Sequence, residues 1–176
     1  MRAQRFREIA LPHLNAAYNL ARWLTHNDQD AQDIVQEAYL RAFKFFDGFR
    51  GDDARAWLLA IVRNTAYTWL QQNRDHAAHV FYDEAFEDLN ATESATLCDQ
   101  PDSNPVAILT QIDDKHLLDQ ALIQLPVEFR EILVLRELEN LSYKEISQIA
   151  CIPIGTVMSR LARGRKLLRA CLEQMN

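Results

Sequence analysis

The sequence has little of what turns and cross-links require, with four glycines, five prolines and three cysteines in 176 residues. So few turn residues argue against β-sandwiches and barrels, which need a turn after nearly every strand. The odd number of cysteines and their wide spacing argue against a disulfide framework and are typical of a reducing compartment. No apolar run exceeds the seven residues from Ala56 to Val62, whereas a membrane-spanning helix needs about 20. No apolar signal segment follows the first residues. We therefore expect a cytoplasmic protein without membrane insertion.

Acidic residues outnumber basic ones, 25 to 19, which gives a formal net charge of −6, and the charge is strongly segregated along the chain. Nine acidic residues and no lysine or arginine lie between Asp83 and Asp114, so the rest of the chain is net positive. Residues 154–176 carry five basic side chains against Glu173 alone. The overall charge therefore does not exclude a nucleic-acid partner.

The acidic stretch also has the composition of a linker. Asn90 to Pro105 lacks helical or strand periodicity and is rich in Ser, Thr, Asp, Asn and Pro. We predict a flexible acidic linker over residues 86–110, between domains at 1–85 and 111–176. Its charge either holds the linker away from phosphates or only keeps the tether soluble, and the sequence leaves both interpretations open.

Helical spacing of apolar residues dominates the N-terminal half. We expect a first helix from about Ala3 to His26, with a kink or break at Pro12. A second helix begins near Asp28 or Asp30, where an aspartate can cap it and further acids complement its dipole. The apolar stripe that we expect on its buried side comprises Ala31, Ile34, Val35, Ala38, Ala42 and Phe45.

A loop around Gly48 and Gly51 precedes the third helix, which we expect to end near Arg74. Trp57 and Trp69 fall on its apolar stripe, so we interpret both as core residues rather than ligand-binding ones. No segment of the chain alternates apolar and polar residues as a half-buried strand does.

The C-terminal half has sharper helix boundaries. Asn104 and Pro105 form an N-cap followed by proline at the first helical position, which predicts a helix to about Gln124. Another helix starts at Leu125-Pro126. Ser142 and Glu145 have the spacing of a capping box.

The capping box opens a short helix that ends by Ala150, and a tight connection at Cys151–Pro153 leads to a last helix from about Ile154 to Leu172. Two helices so joined, the second with a basic face, are typical of a helix-turn-helix that binds DNA in the major groove. Base edges would be contacted from the helix start, and phosphates by Arg165, Lys166 and Arg169. A packed helix pair with a solvated basic rim is the alternative.

The motifs resemble a known family. LPVEFREILVLRELENLSYKEISQIACIPIGTVMSRLARGRKLL, from Leu125 to Leu168, resembles region 4 of bacterial RNA polymerase sigma factors, specifically the extracytoplasmic-function (ECF) group. The segment from Asp30 to Phe43, DAQDIVQEAYLRAF, resembles the region-2 helix that docks on core RNA polymerase. The segment from Phe49 to Leu70, FRGDDARAWLLAIVRNTAYTWL, resembles the region-2 loop and helix that open and recognise the −10 element of promoter DNA. The resemblance covers nearly the whole chain and implies an all-α fold of two small helical domains, the C-terminal one a helix-turn-helix.

The resemblance also implies roles for individual residues. One set of residues would form a docking surface for the coiled-coil helices of the largest subunit of core RNA polymerase: Asp30, Asp33, Gln36, Glu37 and Leu40. The alternative is that these residues form only a charged face exposed to solvent. The surface that opens and recognises the −10 element of promoter DNA comprises Phe49, Arg50, Asp52, Asp53, Asn64 and Tyr67. The surface for the −35 element comprises Thr156, Met158, Ser159, Arg160, Arg163 and Lys166. The resemblance further implies an anti-sigma factor as a partner.

Four departures from the family pattern bear on these roles. The end of the region-2 helix has Gln71-Gln72-Asn73-Arg74 where many relatives carry a basic run, which weakens phosphate contacts there. Met158 cannot bond guanine as an arginine does, so promoter preference does not transfer from relatives with a basic residue. Cys151 occupies a turn position where glycine is common, and Gly164 lies inside a helix, which permits a close approach or a bend.

Other functions have weaker support in the sequence. His76, His79 and Cys98 supply only three possible zinc ligands, and surface histidines are the simpler interpretation. No paired nucleophile and base, phosphate loop or HExxH motif occurs, so we expect neither catalysis nor a cofactor. A stand-alone helix-turn-helix regulator would not need the docking helix or the FRG loop. An adaptor that binds other proteins through the acidic segment would not contact DNA. Loss of DNA binding when Arg160 or Arg163 is changed to alanine would count against that function.

Overall fold

The computed structural model describes residues 1–73 and 115–175. All regular structure in these two ranges is helical, as expected for an all-α protein. None of the helices in this part of the chain is long and apolar enough to span a membrane. The predicted linker, the helix start at Asn104 and the proposed zinc ligands lie outside the described residues.

The N-terminal unit contains four α-helices: α1 (Arg2–Ala10), α2 (Leu14–Thr25), α3 (Asp28–Phe45) and α4 (Ala54–Gln72). A 3₁₀ turn, Leu11–His13, separates α1 from α2. Pro12 lies in that turn, so the predicted break is confirmed, and its cause is the missing N–H donor of proline. The prediction of an aspartate cap for α3 is wrong, because Asn27 caps it by accepting a bond from the Asp30 N–H at 3.0 Å.

The buried side of α3 confirms the predicted stripe at every position except the last. Ala31, Ile34, Val35, Ala38 and Ala42 are buried, but Phe45 is 61% exposed. The stripe passes instead to Phe46, four residues beyond Ala42, which is only 6% exposed. In a helix of 3.6 residues per turn, the i+4 position lies about 40° around the axis from residue i and the i+3 position about 60°, so Phe46 lies closer to the core direction than Phe45.

The C-terminal unit contains α5 (Lys115–Gln124), α6 (Val127–Leu133), α7 (Tyr143–Ala150) and α8 (Ile154–Met175). A π-helical turn, Val134–Leu138, extends α6. Val157, Leu161 and Leu168 are buried on α8 at helical spacing. Gly164 permits the predicted close approach, since a Cβ there would lie 3.2 Å from Leu133 side-chain carbons.

The two units pack directly against each other. Helix α2 contacts α6, and α4 contacts α7 along a longer interface. One cluster of buried apolar residues extends from α2, α3 and α4 through α6, α7 and α8. The described residues therefore form a closed arrangement in which the units share a core.

Candidate functional site

The outer side of α3 presents the residues predicted to dock on polymerase. Asp33, Gln36 and Glu37 are exposed, and Leu40 is 62% exposed. Asp30 is half-buried at the start of the helix. All five residues therefore lie on or beside one outward surface that mixes carboxylates with an apolar side chain.

This surface is wider than the sequence predicted. A shallow concavity is lined by Glu37, Leu40, Arg41, Lys44 and Phe45. Arg41 donates to the Glu37 carboxylate at 2.9 Å, and the Lys44 ammonium lies 5.7 Å from the centre of the Phe45 ring. The i+4 spacing of Glu37, Arg41 and Phe45 was available in the sequence. Phe45 was missed because its position also fitted the core stripe.

The loop before α4 is organised by aromatic packing. The ring of Phe49 lies 4.6 Å from that of Trp57 and stacks on Phe46 at 6.4 Å. Phe49 is thus half-buried, while Arg50 and Asp52 are exposed. Trp57, like Trp69, is half-buried and packs against the core, as predicted.

Asp53 has a structural contact that the sequence analysis did not predict. Its carboxylate accepts a bond from the Ala56 N–H at 2.9 Å and caps α4. An N-cap carboxylate satisfies an otherwise unpaired donor and complements the helix dipole. Asp53 therefore sets where the loop ends and α4 begins, beside the exposed Arg50 and Asp52.

The two α4 residues assigned to the −10 surface have different surroundings. Asn64 is exposed, whereas Tyr67 is half-buried where the units meet. The Arg63 guanidinium lies 4.2 Å from the centre of the Tyr67 ring. Burial, with Glu131 nearby, raises the pKa of the Tyr67 phenol well above its usual range. Tyr67 is consequently not open to a base in the closed arrangement.

Three charged contacts cross the boundary between the units. Arg63 donates to both carboxylate oxygens of Glu131, at 2.8 and 3.1 Å, and Glu131 is fully buried. Arg55 donates to the backbone carbonyl of Glu139 at 2.7 Å and to its carboxylate at 3.0 Å. Arg130 contacts the imidazole Nε2 of His26.

The helix-turn-helix is present as predicted. Ser142 accepts from the Glu145 N–H at 3.2 Å, and the Glu145 carboxylate accepts from the Ser142 N–H at 2.6 Å, which completes the capping box. Cys151 ends α7 with φ 54°, in the left-handed region. The Ser147 hydroxyl donates to the carbonyl of Ile152 at 2.5 Å and holds the turn.

Most residues assigned to the −35 surface share one side of α8. Residues three, four and seven apart lie on one side of a helix, and this spacing joins Thr156, Ser159, Arg160, Arg163 and Lys166. Ser159 and Lys166 are exposed, and the others are half-buried. The structure therefore brings these five residues together.

Met158 and Arg165 lie on the flank of that surface. Met158 is 49% exposed. Arg165 donates to the Glu137 carboxylate at 2.7 and 3.1 Å, so its guanidinium is engaged within its own unit. The sequence analysis assigned Arg165 to phosphate contacts. It did not predict the ion pair with Glu137, because a contact with a residue 28 positions earlier leaves no local pattern in the sequence.

No group of three or more His, Cys, Asp or Glu side chains suited to a metal ion occurs within residues 1–73 and 115–175.

Comparison with known proteins gives matches over both units. The family model for sigma-70 region 2 matches residues 9–76, and that for sigma-70 region 4 matches residues 115–168. The RNA polymerase sigma-H factor of Pseudomonas aeruginosa is 32% identical over 161 residues, which are 85% of this chain and 77% of the relative. The ECF RNA polymerase sigma-E factor of Escherichia coli strain K12 is 36% identical over 142 residues, 79% of this chain and 72% of the relative.

A solved structure has the same architecture. The sigma factor RpoE of Bartonella quintana, crystallised with the anti-sigma factor NepR, superposes with a TM-score of 0.71 at 26% sequence identity. The match covers 97% of this chain and 98% of the other. The structural comparison and the sequence comparisons thus agree over both units.

Proposed function

The chain belongs to the RNA polymerase sigma factors of the ECF type, and on that premise we propose how its surfaces divide the work of promoter-specific initiation. Residues 1–85 act as region 2 and residues 111–176 as region 4. The presence of both regions in one chain and in this order carries the assignment. Polymerase supplies the chemistry, and the protein acts with it in the cytoplasm.

Region 2 docks on core polymerase through the outer side of α3. A protein interface needs an apolar centre with a polar rim. Leu40 and Phe45, both more than 60% exposed, supply the apolar part. Asp33, Gln36 and Glu37 supply a rim of carboxylates and an amide.

The loop before α4, together with Asn64 and Tyr67, opens and holds the −10 element. A base removed from the duplex costs a few kcal/mol unless it finds stacking or hydrogen-bonding partners. Arg50 and Asp52 offer charged hydrogen-bonding groups beside the half-buried ring of Phe49, and Asn64 offers an amide. Asp53 contributes by fixing the start of α4.

Region 4 recognises the −35 element through α8. The exposed start of this helix enters the major groove, as in other helix-turn-helix proteins. Thr156, Ser159 and Arg160 lie nearest its N-terminus and face base edges. Arg163 and Lys166, further along the same side, are placed for phosphates, and Met158 on the flank offers an apolar contact to a thymine methyl.

The similarity to a sigma factor solved with its anti-sigma factor supports the same kind of partner for this chain. Such an inhibitor would cover the α3 surface or the DNA-facing helices. The concavity on α3, in which Leu40 and Phe45 lie among charged side chains, would suit an amphipathic helix that presents both apolar and charged residues.

Run-off transcription tests the assignment. Purified core polymerase and fragmented genomic DNA are incubated with and without the protein, and the transcripts are sequenced. We expect specific transcripts that start only when the protein is present. If the protein binds DNA and does not bind core polymerase, a stand-alone helix-turn-helix regulator replaces the sigma assignment.

A further inference from the structure

Helix α1 packs outside the core that the two units share. Ala10 of α1, Ala42 of α3 and Leu58 of α4 form a separate small cluster of buried residues. Phe6 and Trp57, both half-buried, pack against this cluster. Within the described ranges, the larger cluster that joins the units contains no residue of α1. The contacts of α1 with its own unit therefore account for its position, and they concentrate near the loop that precedes α4.

A row of aromatic rings connects α1 to that loop. The Phe6 ring meets the buried Phe46 ring edge to face, with the ring centres 5.3 Å apart. Phe46 stacks on Phe49 at 6.4 Å, and Phe49 lies 4.6 Å from Trp57. A Cβ added at Gly51 would lie 3.4 Å from the Phe49 ring, so the loop backbone also covers that ring. Phe49 is therefore held by two aromatic side chains and by its own loop. The aromatic row comprises Phe6, Phe46, Phe49 and Trp57.

The Arg2 guanidinium binds the end of α3, just before the same loop. It donates to the backbone carbonyl of Phe43 at 2.8 Å and to that of Lys44 at 3.3 Å. The last carbonyls of a helix lack partners within the helix, and a cation is favoured beside them. Arg2 also pairs with the Asp47 carboxylate at 3.2 Å, in the 3₁₀ turn that leads into the loop. One side chain of α1 therefore contacts both the end of α3 and the turn after it.

These contacts fix the ends of the loop and leave its charged side chains outside. Arg50 and Asp52 are exposed. They lie between Phe49, which the aromatic row holds, and Asp53, which caps α4. Binding groups need supporting residues that hold them in the productive geometry. A loop that samples other conformations binds more weakly, in proportion to the fraction of time that it spends in the competent one.

We propose that α1 holds the loop at residues 49–53 in the conformation that binds the opened −10 strand, with Phe6 and Arg2 as its positioning residues. Phe6 acts through the aromatic row, and Arg2 acts through the end of α3. Arg50 and Asp52 are then the groups presented to the strand, while Phe49 anchors the loop instead of stacking on a base. The inference rests on the proposed function of this loop and deepens it.

Hydrogen–deuterium exchange of the full-length chain tests whether α1 holds the loop. Phe6→Leu keeps an apolar side chain and removes the ring contact with Phe46. Ile9→Ala is the matched control, because it removes apolar atoms from a half-buried position of the same helix, outside the aromatic row. We expect faster exchange over residues 48–53 in Phe6→Leu than in Ile9→Ala, with equal exchange in α8. Loop exchange in Phe6→Leu equal to that of wild type would overturn the proposal.

Holoenzyme measurements test whether this positioning serves strand binding. Core polymerase is assembled with wild type, Phe6→Leu, Phe6→Tyr or Ile9→Ala, and each is titrated with a fluorescein-labelled −10 single strand. If the unsupported loop holds the competent conformation about one-fifth of the time, the affinity of Phe6→Leu falls about fivefold. We expect Phe6→Tyr, which retains the ring, to bind like wild type, and all four proteins to assemble with core polymerase and bind −35 duplex equally. Strand binding by Phe6→Leu equal to that by Ile9→Ala would overturn the proposal, as would an equal loss with Phe6→Tyr.

An arginine variant covers the case in which Phe6→Leu does not fold, which circular dichroism detects. Arg2→Gln removes the contacts with the end of α3, and Arg7→Gln, at another exposed arginine of α1, is its control. We expect only Arg2→Gln to speed exchange over residues 48–53 and to weaken strand binding. The same exchange and binding in both variants would contradict the role of Arg2.

Variants of the loop itself separate failure of this proposal from failure of the proposed function. Arg50→Gln combined with Asp52→Asn is measured in the same holoenzyme assay. If this double variant loses strand binding while Phe6→Leu and Arg2→Gln retain it, the positioning role of α1 is overturned and the loop keeps its proposed function. If the double variant binds the strand like wild type, the loop is not the −10 site, and the proposed function of the loop fails together with the inference that rests on it.

Discussion

At the scale of single residues, a few backbone conformations are unfavourable for the side chains that occupy them. Three non-glycine residues have positive φ in the described ranges: His26, Asn140 and Cys151. Asparagine tolerates this region better than most residues, but a cysteine there carries a steric cost. Cys151 ends α7 and sets the angle at which α8 leaves, so the helix-turn-helix is formed at some expense of stability.

Cys151→Gly is expected to stabilise the protein. Glycine adopts the left-handed region without the Cβ clash, so the free energy of unfolding rises by about 1 kcal/mol, less than the full cost of a left-handed L-residue because glycine is more flexible when unfolded. Urea denaturation monitored by circular dichroism measures it. Cys151→Ala is the control, since alanine retains the Cβ. A gain with alanine as large as with glycine would point to the thiol rather than to φ.

At the scale of elements, α3 and α8 each have a buried side that positions an exposed functional side. Alanines on the buried side of α3 let it pack closely, and Leu40 and Phe45 are left outside. On α8, Val157, Leu161 and Leu168 hold the helix while Gly164 allows contact with Leu133. The apolar spacing therefore determines which side chains are available to partners.

Leu40→Glu on α3 is expected to weaken binding to core polymerase. The side chain is already 62% exposed, so fold stability changes little, but a charge placed in the apolar centre of an interface costs at least about 2 kcal/mol of binding free energy. Titration of labelled protein with core polymerase measures the loss. Leu11→Glu, also exposed at 53%, is the control. Equal losses for the two variants would place the docking surface elsewhere.

Arg160→Gln on α8 is expected to weaken binding to duplex DNA that contains the −35 element. A base-contacting arginine contributes about 1–3 kcal/mol, and a phosphate-contacting one lowers the salt slope by about 1. Anisotropy titrations at several salt concentrations separate these cases. Arg165→Gln is the comparison, because Arg165 is already paired with Glu137. A greater loss for Arg165→Gln would shift the DNA surface toward the flank of Met158.

At the scale of the whole molecule, contacts between the units make stability depend on charge states at the interface. The imidazole of His26 touches Arg130 of the other unit, and Arg22 lies near it. Loss of hydration together with these two guanidinium groups lowers the pKa of His26 to about 3. Burial lowers the pKa of Arg130 only to about 10, so it remains charged at neutral pH.

The protein is therefore expected to lose stability as the pH falls below the unfolded pKa of histidine, about 6.5. Below that value the unfolded chain binds a proton at His26 that the folded chain does not, so the loss continues toward pH 3. Thermal melts at pH 7.0, 6.0 and 5.0 measure it before most carboxylates titrate. In His26→Asn the decline should be smaller, since asparagine tolerates the left-handed φ and does not titrate. His116→Asn is the control, and an equal reduction there would exclude His26 as the cause.

Local patterns in the sequence were enough to predict the helices of the described ranges and the capping box at Ser142, but not the caps at Asn27 and Asp53. The capping box of Ser142 and the break at Pro12 depend on neighbours within four residues, and helical spacing alone separates buried from exposed sides. Local signals failed where two assignments competed for one position, as with Phe45 and the cap at Asn27.

Which surfaces are open in the free protein depends on contacts between residues that are far apart in the sequence. Arg63 and Glu131 are 68 residues apart, Arg55 and Glu139 are 84 apart, and His26 and Arg130 are 104 apart. Periodicity does not link such distant positions. The apolar pattern of a helix shows which of its sides is buried, but it does not show which residue of another helix that side contacts. For the same reason Tyr67 looked accessible in the sequence, whereas it is half-buried beside Glu131 of α6 in the other unit.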